Sequence, residues 1–215
     1  MIKKELGKRI ITSIVLIAVV LSCLYINNLS WILLLLVVSL ICWFEFIDLA
    51  RKIWKNKIII NLPIILSFLF LSLFLSTAYK IKIDASEEVV LFILLICIFS
   101  DIGGYVIGKS VGGKKLTKIS PNKTISGSIG SFLFCLFPIL IWIYNGEHNL
   151  NLNVFFFCLT ISFACQLGDL VISYFKRLAK VKDAGNILPG HGGMLDRIDG
   201  VIFAIPTTLI IGSLL

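Results

Sequence analysis

The sequence predicts an all-α integral membrane protein, a polytopic helical bundle of about seven transmembrane helices with its N-terminus in the cytoplasm. Three observations carry that expectation. Hydrophobic residues fill 58% of the 215 positions and charged residues only 15%, giving a mean hydropathy of +1.01. The apolar residues are gathered into runs that can cross a bilayer, which takes about 20 residues, or about 17 for a short helix. Basic residues crowd into alternate connections between those runs.

Seven apolar segments follow in order: 10–26, 30–48, 58–77, 89–108, 124–144, 154–172 and 200–214. The first is too long for a typical signal-peptide core. No clean small-residue cleavage site follows it and another run begins almost at once, so it reads as a retained helix. The second ends in "WFEFIDLARK", where Glu45 and Asp48 lie at helical spacing from Arg51 and Lys52 and are expected to pair with them. The fourth carries Asp101 near its polar end, and an ionisable group there is a functional candidate by default. The fifth opens behind "SPNKT" (120–124), a turn that sets Lys123 near a helix N-terminus, an arrangement that favours an anion. The sixth carries Asp169. Connections are polar and mostly short, so one membrane domain spans 1–215 with no soluble module.

Lys and Arg then orient the bundle. The N-terminal tail has Lys3, Lys4, Lys8 and Arg9, and the connection after the second helix has Arg51, Lys52, Lys55 and Lys57. Lys109, Lys114, Lys115, Lys118 and Lys123 follow the fourth helix, and Lys176, Arg177, Lys180, Lys182 and Arg197 the sixth. The other connections hold only Lys80 and Lys82, offset by Asp84, Glu87 and Glu88. The positive-inside rule places the N-terminus in the cytoplasm, the C-terminus outside, and connections 109–123 and 173–199 together on the cytoplasmic face. The net charge of +8 therefore needs no nucleic acid. It sets topology and attracts anionic lipid or a polyphosphate, and no base-stacking or groove-reading pattern accompanies it. The six cysteines lie inside apolar runs, without CxxC pairs or histidine partners, and read as buried small hydrophobes rather than disulfides or a zinc site.

The densest chemistry lies in "GDLVISYFKRLAKVKDAGNILPGHGGMLDRIDG" (168–200). An aspartate near mid-membrane costs about 2.5–3.5 kcal/mol, so Asp169 should face a polar cavity, a cation or a base. On a continuing helix Asp169, Ser173 and Lys176 share one face, and a structural ion pair of Asp169 with Lys176 or Arg197 is the plainer alternative. Gly185, Gly190, Gly192 and Gly193, with Pro189, break the helix and bring backbone N–H groups within reach of a ligand. With Lys176, Arg177 and Lys182 nearby, that backbone suits a phosphate chain. Asp196 and Asp199 flank Arg197, and hard carboxylate oxygens beside phosphate suggest Mg²⁺. A solvated interfacial loop would explain the lysines but not four aspartates and this glycine spacing. His191 reads as a phosphate contact in preference to a metal ligand. "GGYVIGKS" (103–110) satisfies the P-loop expression, but a membrane run feeds it and no α/β unit follows, so it is set aside. Lys109 can still meet phosphate as a simple charge.

Ser173–Asp199, read as Ser-x-x-Lys-Arg, Lys-Asp, Pro-Gly-His-Gly-Gly and Asp-Arg-x-Asp, resembles the signature of the phosphatidate cytidylyltransferases. "GDL" before it, the upstream "D..GY..GK..G.KK" and "SPNKT" resemble the family too, over roughly residues 100–200. The resemblance implies a reaction in phospholipid biosynthesis: CTP and phosphatidic acid give CDP-diacylglycerol and pyrophosphate, with Mg²⁺. It also implies that Asp169 and Asp196 are the metal carboxylates, and that the enzyme is a homodimer of the bacterial cytoplasmic (inner) membrane with its active site facing the cytoplasm. N-terminal helices 1–90 would support a signature-bearing half, 91–215. Ser126 stands where the family commonly carries Glu, Gly104 replaces the usual Ala, and the chain is short for the family at its N-terminal end.

Under that resemblance Asp169 and Asp196 hold the cation, with a second cation left open, and Asp183 and Asp199 support or orient. Lys176, Arg177, Lys182 and Arg197 hold the triphosphate or the lipid phosphate. The Gly190, His191, Gly192 and Gly193 loop, Ser173, Lys109 and Lys123 complete the substrate contacts. The rivals are a CTP-dependent lipid kinase resembling dolichol kinases, and a secondary transporter built on Asp101 and Asp169. The transporter would call for polar residues through the bundle or an inverted repeat.

Overall fold

A computed structural model of the chain describes residues 2–144, 151–188 and 192–212, the side chains of residues 2–6, 8, 9, 57 and 144 excepted. The described residues form eight helices: α1 (Ile2–Ile26), α2 (Asn28–Ile53), α3 (Lys57–Asp84), α4 (Glu87–Val111), α5 (Ile125–Phe134), α6 (Phe137–Tyr144), α7 (Leu152–Leu178) and α8 (Leu195–Ile211). No β-strand occurs among them, only the isolated bridges Lys115–Thr124 and Leu188–Gly192. Over its described residues each of the seven apolar runs is helical, the fifth in two pieces. Five stretches are long and apolar enough to cross a membrane: Asn28–Ile53, Ile58–Asp84, Glu87–Val111, Ile125–Ile143 and Leu152–Leu178.

The fifth run is broken where the sequence promised one helix. α5 closes at Cys135, whose N–H reaches Ser131 O at 3.0 Å. Pro138 then has no N–H to donate to the previous turn, which suits the first turn of a new helix, and α6 starts anew with Ile139 N bonded to Leu136 O at 3.1 Å.

The chain forms two compact units, Met1–Glu87 with Phe175–Ile198, and Glu88–Tyr174 with Asp199–Leu215. In the first, α2 packs against both α1 and α3. Asn27 caps α2 by accepting from Ser30 N at 2.6 Å, and Trp31 Nε1 donates to Ala78 O of α3 at 3.3 Å. Lys82, itself buried, ties the same end by donating to Asn27 O at 3.0 Å. At the other end of α2, Phe46 meets Phe175 edge-on at 5.2 Å, and Trp54 packs on the same ring at 6.3 Å. Phe46 of "WFEF", together with Trp54, thus seats Phe175 in the charge-rich segment.

In the second unit, small residues bring helices close. A Cβ on Gly103 would strike Gly130 O and Phe134, and one on Gly130 would come within 2.6 Å of Gly103 O. The same holds for Gly168 against Asp199 O and for Gly200 against Cys165 Sγ. Such seams let apolar helices pack backbone to backbone. They also account for the P-loop-like "GGYVIGKS". Residues 103–110 are continuous α4 helix, and their glycines face α5 rather than a phosphate.

Candidate active site

The second unit contains a cavity of about 340 Å³, lined by Asp101, Gly104 and Tyr105 of α4, Thr124, Gly127, Ser128 and Ser131 at the start of α5, Gln166 and Asp169 of α7, and Leu116, Ser120, Asn122 and Lys123 of the intervening connection. That volume lies within the roughly 300–1,000 Å³ of small-molecule sites. Its charged members face one another. Lys123 forms an ion pair with Asp169, whose other oxygen accepts from Ser173 Oγ at 3.2 Å. Ser128 Oγ donates to Gln166 Oε1 at 2.6 Å, and Asp101 opens into the same space.

Local structure explains how Lys123 arrives there. Lys123 N bonds to Ser120 O at 3.1 Å, closing the "SPNKT" turn, and Leu116 N bonds to Lys123 O at 2.8 Å. Thr124 caps α5 by accepting from Gly127 N at 3.0 Å. Ser126, in the position where a Glu was expected, donates to Gly112 O and bonds Thr124 Oγ1 at 2.9 Å. It therefore clips the end of α4, where Gly112 takes φ +63, to the start of α5. No carboxylate is needed for that job.

The first unit contains a separate polar cluster around the glycine-rich segment. Lys176 Nζ donates to Asp196 Oδ1 at 2.7 Å, with side chains 11% and 5% exposed. Asp196 Oδ2 accepts from Ala184 N at 2.8 Å and Gly193 N at 3.0 Å, so the carboxylate holds both limbs of the loop at the first turn of α8. Gly192 takes φ +86, a left-handed conformation that costs other residues about 1–2 kcal/mol. A Cβ there would lie 3.1 Å from Asp183 Cβ and 3.2 Å from Asp196 Oδ2.

Glu45 of α2 joins this cluster and corrects the sequence expectation. It does not pair with Arg51 or Lys52. Buried at 4% exposure, it accepts from Met194 N at 3.0 Å and Leu195 N at 2.8 Å, two donors that the N-terminus of α8 would otherwise leave unsatisfied. Asp48 keeps the expected pairing, with Arg51 at 3.6 Å. Within its own unit Asp169 takes Lys123, and within the other Lys176 takes Asp196.

The remaining expected residues are placed as follows. Ser173 is on Asp169. Lys109 is exposed, bonded to Tyr105 Oη at 3.3 Å and 5.4 Å from its ring centre, and does not line the cavity. Arg177 turns to Val181 O. Lys182, Asp183 and Arg197 are exposed, and Asp199 Oδ1 accepts from Gly200 N at 2.9 Å. Gly190 and His191 lie outside the described residues. Gln166, Ser128 and the loop-binding role of Glu45 were missed. Glu45 sits in an apolar run as Asp101 and Asp169 do, so the cost of an intramembrane carboxylate was the signal that could have found it.

The donor set fits Mg²⁺. Asp101 and Asp169 share one cavity with neutral side-chain oxygens, and Mg²⁺ binds through one or two carboxylates, completed by phosphate and water. A carboxylate offers about four lone-pair sites, and Asp196 uses three, leaving one for a ligand. Among the described residues no group of three or more His, Cys, Asp or Glu side chains is placed to hold a metal ion, so a closed all-protein cage is not what these residues build.

A family model described as the cytidylyltransferase family matches residues 56–215. A protein of Rickettsia bellii named phosphatidate cytidylyltransferase is 35% identical over 223 aligned positions, covering 99% of this chain and 93% of that protein. Proteins of the same name from Staphylococcus aureus and Staphylococcus haemolyticus are 46% and 43% identical over 119 residues. Those matches cover 54% of this chain and 46% of each relative, so the chain spans about half the length of the staphylococcal proteins it matches.

Proposed function

The chain belongs to the cytidylyltransferase family, and from that membership and its lysine–aspartate pairs we propose that it converts CTP and phosphatidic acid to CDP-diacylglycerol and pyrophosphate in phospholipid biosynthesis. One observation carries the reading. Lys123 and Asp169 neutralise each other in a polar cavity among helices apolar enough to span a membrane. That is where a lipid phosphate and a water-borne triphosphate can meet.

In the proposed reaction a phosphate oxygen of phosphatidate attacks the α-phosphorus of CTP. The bond from that phosphorus to the bridging oxygen breaks, and pyrophosphate leaves in line with the bonding electron pair on that oxygen. The nucleophile is already anionic near neutral pH, so no strong general base is required. What the protein must do is hold anions together and in line. Asp169 and Asp196 are each proposed as a ligand that would hold Mg²⁺, which would neutralise phosphate charge as pyrophosphate departs.

The chain's own residues act by exchanging partners. Without substrate, Lys123 satisfies Asp169 and Lys176 satisfies Asp196. An arriving phosphate would offer each lysine a new anion and leave its carboxylate free to hold a cation. Lys182, Arg177 and Arg197 supply further positive charge to the triphosphate, Asp183 and Asp199 orient, and the Gly192–Gly193 backbone approaches the phosphates closely. The positive-inside asymmetry supports a cytoplasmic N-terminus and a site opening to the cytoplasm in the bacterial cytoplasmic membrane. We place the enzyme there as a homodimer.

The test uses CTP labelled separately at the α and γ phosphates, with phosphatidic acid in liposomes, with and without Mg²⁺. Label should move into lipid from the α position only, and only with the metal. Transfer from the γ position would make the protein a lipid kinase. No transfer from folded protein would remove the cytidylyltransferase reading.

A further inference from the structure

Glu45 lies outside the stretch matched by the family model, which begins at residue 56, yet it is built into the loop that carries Asp196. Its two oxygens take Met194 N and Leu195 N, while Asp196 takes Gly193 N and Ala184 N. Three consecutive amides, 193 to 195, are thus held by two carboxylates from different helices. The fit allows no slack. A Cβ on Gly193 would come within 2.7 Å of Glu45 Oε2, and one on Gly185 would strike Glu45 Oε1. Both glycines are there because the carboxylate occupies the space a side chain would take. Phe46, the next residue, anchors the same turn of α2 on Phe175 at 5.2 Å.

We propose that Glu45 is a positioning residue for the reaction: by fixing the backbone at Gly193–Leu195 it aims the Asp196 carboxylate. The inference rests on the cytidylyltransferase reading for its catalytic consequence but not for its structural one. The physical argument is that backbone amides lock a carboxylate only if the amides themselves are locked. Asp196 is a side chain of the first turn of α8 and moves with it. A neutral amide cannot replace Glu45, because two converging N–H donors need two acceptor oxygens and Gln offers one oxygen and a competing donor.

The experiment compares wild type with Glu45→Gln and Glu45→Asp in detergent, reading hydrogen exchange across 183–197 and cytidylyl transfer from α-labelled CTP. For Glu45→Gln, exchange at Met194 and Leu195 should accelerate at least tenfold while α3 is unchanged. Its kcat should fall at least tenfold, the KM for CTP should stay within about threefold, and half-saturation by Mg²⁺ should rise. Glu45→Asp, which keeps both oxygens, should recover part of both signals. Unchanged exchange at 193–195 in Glu45→Gln overturns the inference whatever the activity. So does faster exchange with kcat and the Mg²⁺ requirement intact in an active wild type. If wild type transfers no cytidylyl group, the functional reading fails, and the exchange data still decide whether Glu45 holds the α8 N-terminus. Should Glu45→Gln not fold, Gly193→Ala crowds the same carboxylate from the opposite side and must give the same exchange and kinetic pattern for the inference to stand.

Discussion

The two lysine–aspartate pairs look alike in sequence and differ in environment. Lys176 and Asp196 are nearly buried, at 11% and 5% side-chain exposure, whereas Lys123 and Asp169 retain 26% and 33%. Removing one partner of a buried pair leaves an uncompensated charge and costs about 3–5 kcal/mol, whereas an exposed pair contributes about 0–1 kcal/mol. Lys176→Met should therefore lower the melting temperature in detergent strongly, and Lys176→Met with Asp196→Asn, which removes the uncompensated charge and keeps an acceptor oxygen for Ala184 N and Gly193 N, should regain part of the loss without regaining activity. Lys123→Met should lower the melting temperature less than Lys176→Met does but reduce cytidylyl transfer by about a hundredfold or more, the scale of losing one electrostatic contact to the reacting group. Asp169→Asn should behave like Lys123→Met. A thermal scan beside a transfer assay distinguishes these patterns, and a large stability loss in Lys123→Met would contradict a functional pair.

At the scale of elements, the glycines and caps separate tolerant from intolerant positions. Gly130→Ala drives a methyl into the backbone of α4, and overpacking of this kind costs about 1–3 kcal/mol. It should also displace Thr124 and Lys123 at the head of α5, lowering activity together with stability. A Cβ in Gly104→Ala is crowded by Ser131 Oγ at 2.7 Å, with Gly127 O at an ordinary 3.7 Å, and a hydroxyl can rotate away, so this change should be nearly neutral. α7 ends with Lys180 at φ +56, Val181 N bonded to Lys176 O at 3.0 Å and Lys180 N to Arg177 O at 3.1 Å. That is a Schellman cap with a lysine where glycine is preferred. Lys180→Gly should stabilise the protein by about 1 kcal/mol, read as a higher melting temperature with unchanged transfer.

For the whole molecule, the charge asymmetry fixes a prediction about sidedness. Lys118 and Ala85 are both exposed, in connections of opposite expected side, and five of the six native cysteines are buried. In sealed vesicles of known orientation, an impermeant maleimide should label Lys118→Cys from the cytoplasmic face and Ala85→Cys from the other. Labelling of both from one side would overturn the topology. Metal removal should act on the whole reaction as well, with transfer lost on chelation and restored by Mg²⁺.

By itself the sequence determined the helical membrane class, the order of seven apolar runs and the signature segment, because each is written in local terms. Apolar run length, charge alternation and fixed spacing need no knowledge of what lies across the bundle. The turn that delivers Lys123 was legible for the same reason, since Ser120, Pro121 and Thr124 specify a turn and a cap within a few residues. Only the tertiary structure decided which charge meets which. Lys123 reaches Asp169 across 46 positions, and Glu45 reaches Leu195 across 150. The local rule pointed Glu45 to Arg51 and Lys52, about two turns further along the same helix. A buried carboxylate instead takes the donors that best replace its lost water, and here those are backbone amides of α8 brought to α2 by packing. The break at Pro138 and the packing role of the P-loop-like glycines were likewise settled by neighbours, because close approach is a property of two helices and a sequence run describes one.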